Sequence, residues 1–208
     1  FARRRFPNFR TIRKYKMVVW VKDHFATVPY FAEESRNLEA YLHAGGKLVM
    51  IGSNIMQSFM DDSYYLIAPC EPCITYPAKF SSSGWNWFMN EILHVNFGYI
   101  GDLIGNFNSA EGINQYSGLV LNPDTSKIAD IWPNYNKLSN VDVVIEPGGF
   151  TVPILKLNSD DNYVDQKACG VRYYGSGFDV IYIGAPIWHM QAEDAKLLGE
   201  KILEDMDF

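Results

Sequence analysis

Three polar stretches in this sequence each follow an apolar run. Asp23 and His24 follow YKMVVWVK, Ser53, Asn54 and Gln57 follow KLVMIG, and Trp188, His189 and Glu193 follow FDVIYIGAPI. Together they offer a hydroxyl nucleophile, two imidazoles and two carboxylates, the parts of a serine hydrolase. In that reading Ser53 attacks, His189 or His24 takes its proton, and Asp23 or Glu193 orients the imidazole. The G-x-S-x-G pattern that exposes such a serine is absent, and a serine at a strand end more often caps a helix. No catalytic residue is therefore favoured, and Asn54, Gln57 and Trp188 are read as binding residues at the same edge.

Two other groups of residues suggest ligands. Asn158, Asp160, Asn162 and Asp165 put hard oxygen donors in one loop, as calcium requires, but the loop lacks the glycine and the terminal bidentate Glu of a calcium-binding loop. A solvated acidic turn is the expectation. Trp85, Trp87, Trp132 and Trp188 lie in or beside loop-like stretches and offer stacking surfaces for a glycan, against which stands ordinary core packing. Cys70 and Cys73 form a single C-x-x-C, which with Cys169 suits one disulfide and a leftover thiol, or buried thiols, better than a four-ligand zinc site. No metal and no cofactor is expected.

Charge narrows the partners. Residues 1 to 16 hold seven of the 18 Lys and Arg, so the remaining 11 basic and 24 acidic residues leave the rest of the chain at -13. An acidic body behind a basic arm repels nucleic acid, which is excluded as a partner. No apolar run reaches the roughly 18 residues of a membrane helix, and no span is expected.

The elements that would position these residues follow from periodicity. Residues 15 to 22 form an apolar, β-branched run suited to a strand covered on both faces. Phe31, Leu38, Tyr41 and Leu42 mark one helical face, Gly45 and Gly46 stop the helix, and Lys47 to Ile51 form a second buried strand. Strand, helix and strand predict a right-handed crossover with parallel strands. Residues 178 to 186 repeat the strand, and Leu198, Ile202 and Leu203 mark a closing helix over 191–205. A further helix is predicted near Gly84 to His94. Between 97 and 175, short runs such as VDVVIE, TVPILKLN and ACGVRYY alternate with turns at Pro147-Gly148-Gly149 and Gly175-Ser176-Gly177, a β-rich elaboration within a single 1–208 unit.

The stretches YKMVVWV, LEAYLHAGGKLVMIG, FMNEILHVNF and GVRYYGSGFDVIYIGAPI, with the closing amphipathic helix, resemble the class I glutamine amidotransferase-like domains of large secreted bacterial proteins. The resemblance implies a flavodoxin-like α/β fold of three layers around a mostly parallel central sheet, in a fragment of a larger protein at an extracellular or cell-surface location. It also implies a strand and helix ahead of residues 17 to 21. Only a short basic stretch stands there, so that unit is either missing from the chain or supplied by another segment. The family's catalytic cysteine position is occupied by Asn54, the second glycine of its turn by Met56, and its His-x-Glu pair is not kept after His189. The expectation is a non-catalytic structural or interaction module whose partners are other domains or subunits.

Overall fold

The computed structural model describes residues 7–22, 35–53, 55–56, 78–81, 88–100, 106–128, 138, 141–162, 164–175 and 177–208. A four-residue helix, α1 (Phe9–Ile12), leads into β1 (Met17–Lys22), and the helix α2 (Ser35–His43) carries the chain to β2 (Lys47–Gly52). β1 and β2 pair in parallel, Met17 opposite Lys47 through Lys22 opposite Gly52, as the crossover predicts. The α2 face that is buried consists of Leu38, Tyr41 and Leu42, one turn apart. The Tyr41 hydroxyl donates to the carbonyls of Tyr15 and Lys47, tying the helix to the chain at the start of both strands. Phe31, expected on the same face, lies outside the described residues.

The chain continues through β3 (Ala78–Ser81), a π-helical turn (Phe88–Ile92), β4 (Val95–Ile100), β5 (Phe107–Gly112) and β6 (Val120–Leu121). After the short helix α3 (Thr125–Ile128) come β7 (Val143–Pro147), β8 (Thr151–Ser159), β9 (Ala168–Tyr174) and β10 (Asp179–Ile183). A 3-10 turn (Ile187–His189) then precedes the last helix, α4 (Ala192–Asp205). The π-helical turn is the described part of the helix expected near residues 84 to 94. In α4, Leu198 and Ile202 are buried as predicted, whereas Leu203 is 42% exposed and faces away from the core.

The sheet corrects the expected fold class. Among the described residues ten strands belong to one sheet, and of the nine pairings there only β1 with β2 and β2 with β10 are parallel; the other seven are antiparallel. This is a mixed sheet with few helices, not a three-layer fold around a mostly parallel sheet. The physical reason is the length of the connections. The linkers from β8 to β9 and from β9 to β10, residues 160–167 and 175–178, are too short for a crossover, so each of these strands must turn back antiparallel to the one before it. β9 pairs with β10 along one edge and with β8 along the other, and β8 leads on through β5 to β6. This arm curls toward α4, where the Asp194 carboxylate accepts from the backbone and side-chain amides of Asn122, just after β6.

Two apolar clusters fill the two faces. Val49, Ile51, Ile181 and Ile183 join Leu198, Ile202 and Met206 under the curled arm. Leu48, Met50, Val180 and Tyr182 join Leu38, Tyr41, Leu42, Phe88 and Ile92 on the other side. β2 and β10 are thus covered on both faces, as their continuous apolar runs require.

Candidate functional site

Parallel pairing brings the carboxyl ends of β1, β2 and β10 to one edge of the sheet, together with Lys22, the turn after Gly52 and the stretch from Gly184 to Met190. At that edge the backbone of β2 folds back on β1. Gly52 has a φ of +142°, and a Cβ there would lie 1.9 Å from the Lys22 carbonyl oxygen. The Ser53 amide donates to that oxygen at 2.9 Å. Gly52→Ala is expected to cost about 2 to 3 kcal/mol through backbone strain, measurable as a drop in the urea midpoint at unchanged slope.

Ser53 lacks the posture of a nucleophile. An elbow serine sits on a sharp, strained turn with its hydroxyl exposed. Ser53 is fully buried, and its φ lies outside the left-handed region. Asp23, His24, Asn54 and Gln57 lie outside the described residues.

The centre of the edge is instead an aspartate that sequence reasoning missed. Asp142, immediately before β7, is fully buried. Its amide donates to the Gly184 carbonyl at 2.9 Å, and Gly184 admits this approach because a Cβ there would stand 2.2 Å from the Asp142 carbonyl oxygen. One carboxylate oxygen, Oδ2, accepts from the Met56 amide at 3.0 Å and from the Tyr182 hydroxyl. The other, Oδ1, has no hydrogen-bond partner among the described residues. Burial pushes the Asp142 carboxyl up to about 6, against the pull of the Tyr182 hydroxyl, the Met56 amide, the Lys22 charge and the Ile55 amide. The same surroundings act on its neighbours. Burial lowers Lys22, with Asp142 opposing, and burial followed by the Asp142 charge raises Tyr182 well above its ordinary value. The available sequence signal was a lone acid inside the apolar run VDVVIE.

The residues after β10 divide between inside and outside. His189 is 6% exposed; burial lowers its pKa, partly offset by a hydrogen bond to the Lys127 backbone. Trp188 is 67% exposed, with the Lys127 ammonium 5.6 Å from its ring centroid. That ammonium also donates to the Met190 carbonyl at 2.9 Å and pairs with Asp124 at 3.4 Å. Glu193 is exposed in the first turn of α4, where a carboxylate favours the helix dipole. The topology therefore brings Ser53 and His189 to the same sheet edge, while the imidazole is engaged on α3 and the acid faces solvent.

In the 158–165 loop the oxygen donors are engaged by amides. Asp160 accepts from the side chains of Asn106 and Asn108, Asp165 accepts from the Ser159 amide, and the Asn158 side-chain oxygen Oδ1 accepts from the Gln166 side-chain amide. Asn162 is exposed. Among the described residues no group of three or more His, Cys, Asp or Glu is placed to hold a metal. Cys169 is a free, buried thiol, pushed by burial up to about 12. Cys70 and Cys73, and the tryptophans at 85, 87 and 132, lie outside the described residues.

No protein-family model matches the sequence. No curated protein matches it either. Solved structures do match in fold. The polyextremophilic β-galactosidase of the Antarctic haloarchaeon Halorubrum lacusprofundi aligns with a TM-score of 0.53 at 11% identity, over 95% of this chain and 23% of its own. The cold-adapted β-galactosidase of Rahnella sp. R3 aligns at 0.52 and 11%, over 94% of this chain and 23% of its own. The mmIFT52 N-terminal domain aligns at 0.52 and 10%, over 97% of this chain and 81% of its own. At such identities the likeness concerns the fold alone, and the chain spans less than a quarter of the length of the two β-galactosidases. With the mixed, curled sheet, these neighbours overturn the expected membership of the glutamine amidotransferase-like, flavodoxin-like class. Among the described residues no helix is long and apolar enough to cross a membrane.

Proposed function

We propose that this chain is a non-catalytic module that supports or binds other parts of a larger protein assembly. The observation that carries the proposal is the Asp142 carboxylate seated on the Met56 amide, beside that of Ile55, directly after the Ser53 turn. Acyl-transfer catalysis needs free backbone donors aimed at the point where an oxyanion develops. Here those donors serve an internal carboxylate, and a fixed negative charge at that point repels a second one. The Ser53 amide is likewise taken by Lys22.

Two features support the interaction side of the reading. The solved structures of similar fold include β-galactosidases of which this chain spans only 23%, so the fold occurs as one part of longer polypeptides. Trp188, exposed on a short turn with a cation against its ring, has the character of an interface anchor. Incubation of the whole chain with a fluorophosphonate probe is expected to leave Ser53 unlabelled, with no difference between the native protein and Ser53→Ala. Labelling that Ser53→Ala removes would overturn the proposal.

A further inference from the structure

Among the described residues, β1 ends the strand order and pairs only with β2. Val19 and Val21 are each 51% exposed, although Val49 and Ile51, directly across from them, are 0% and 6% exposed. Paired residues share a face, so these two valines extend the apolar surface that α4 and the curled arm cover further in. On β1 that cover has run out. The opposite face is closed, since Val18 and Trp20 pack against the α2 cluster.

The devices that protect sheet edges are missing from this strand. It contains no proline, and its only charge is the terminal Lys22. The approach to it is strongly basic: Arg10, Arg13, Lys14 and Lys16 are all exposed, and no acid occurs before Asp23.

We propose that the outer edge of β1 receives an extended strand from a partner polypeptide, apolar at alternate positions and flanked by acidic residues that face Arg13, Lys14 and Lys16. Main-chain hydrogen bonds along the edge supply adhesion, Val19 and Val21 take the partner's apolar side chains, and the basic flank fixes direction and register. A second copy of this chain fits less well. Antiparallel pairing centred on Val19 sets Lys16 of each copy opposite Lys22 of the other, and parallel pairing stacks identical basic flanks, both of which are unfavourable. The inference rests on the reading of this chain as an interaction module.

The test uses the full chain and two labelled synthetic peptides of alternating Val and Thr, one flanked by Glu and the other by Lys, followed by fluorescence anisotropy. The Glu-flanked peptide is expected to bind about tenfold more tightly at low salt, the sum of several exposed ion pairs, with the advantage shrinking as salt is raised. The Val19→Lys/Val21→Lys variant, altered only at exposed positions, is expected to keep its melting temperature and lose binding. The proposal is overturned if neither peptide binds, if both bind equally, or if binding survives in the variant. It is also overturned if light scattering shows a dimer of the chain alone that the variant disperses. Failure here leaves the probe result at Ser53 untouched, and labelling at Ser53 would leave the peptide result standing.

Discussion

Arg172→Ala is expected to lower the unfolding free energy by about 3 to 5 kcal/mol, the usual result of removing one partner from a buried ion network. Arg172 is 3% exposed, and all three of its guanidinium nitrogens are used. Nε donates to Asp205 at 3.1 Å, Nη2 to Asp179 at 2.8 Å and Nη1 to the Tyr173 carbonyl at 2.6 Å. The group also lies 4.6 Å from the ring centroid of Tyr174. Through these contacts one side chain on β9 holds the start of β10 and the last residue of α4. Asp205 suffers most from its loss, because a carboxylate at a helix C-terminus is opposed by the helix dipole. It also accepts from the Tyr116 hydroxyl at 3.2 Å, so the fault spreads to the curled arm. Urea unfolding at pH 7 measures the effect. Arg172→Ala/Asp205→Asn should recover part of the loss by removing the stranded charge, as a coupled pair does. A loss below about 1 kcal/mol in the single variant would show that Arg172 is not the tie between α4 and the sheet.

Why this tie was not legible in the sequence, while β1, α2, β2, β10 and α4 were, is a matter of range. The apolar face of α2 and the run Lys47–Ile51 are set by neighbours within two turns or a few residues, and their periodicity can be read directly. The direction of β10 relative to β9 is not written in that periodicity. The four-residue linker between β9 and β10 contained the decisive fact, since it forbids a parallel crossover, yet the apolar run that follows reads the same in either direction. Arg172 sits inside GVRYY and Asp142 inside VDVVIE, two single charges in otherwise strand-like runs. Burial of such a charge demands partners, but the partners lie 33 residues away for Asp205 and 86 for Met56. The candidate site was half legible for the same reason. Strand order placed Ser53 and His189 at one edge, whereas the carboxylate that occupies the amides there comes from a distant segment.

That carboxylate carries the second large effect. Asp142→Ala is expected to cost about 3 to 5 kcal/mol, because it strands the buried Tyr182 hydroxyl and the Met56 amide and leaves a void among them. Asp142→Asn behaves differently, and its pH dependence is the sharper test. The amide oxygen can still accept from Tyr182 and Met56, and the charge is gone. In the folded protein Asp142 keeps its proton up to about pH 6, whereas its ordinary value is 3.8. The stabilisation from this group is therefore complete below about pH 4 and lost as pH rises through 6. The unfolding free energy of Asp142→Asn relative to the native protein should accordingly improve by about 2 kcal/mol between pH 4 and pH 7.5. The difference between variant and native protein is the right quantity, since His189, lowered by burial, gives the native curve an opposing slope that both proteins share. Lys22 is only half-buried and retains contact with water, so losing the facing charge costs it little. A pH-independent difference would mean that Asp142 is not held against ionisation by its burial.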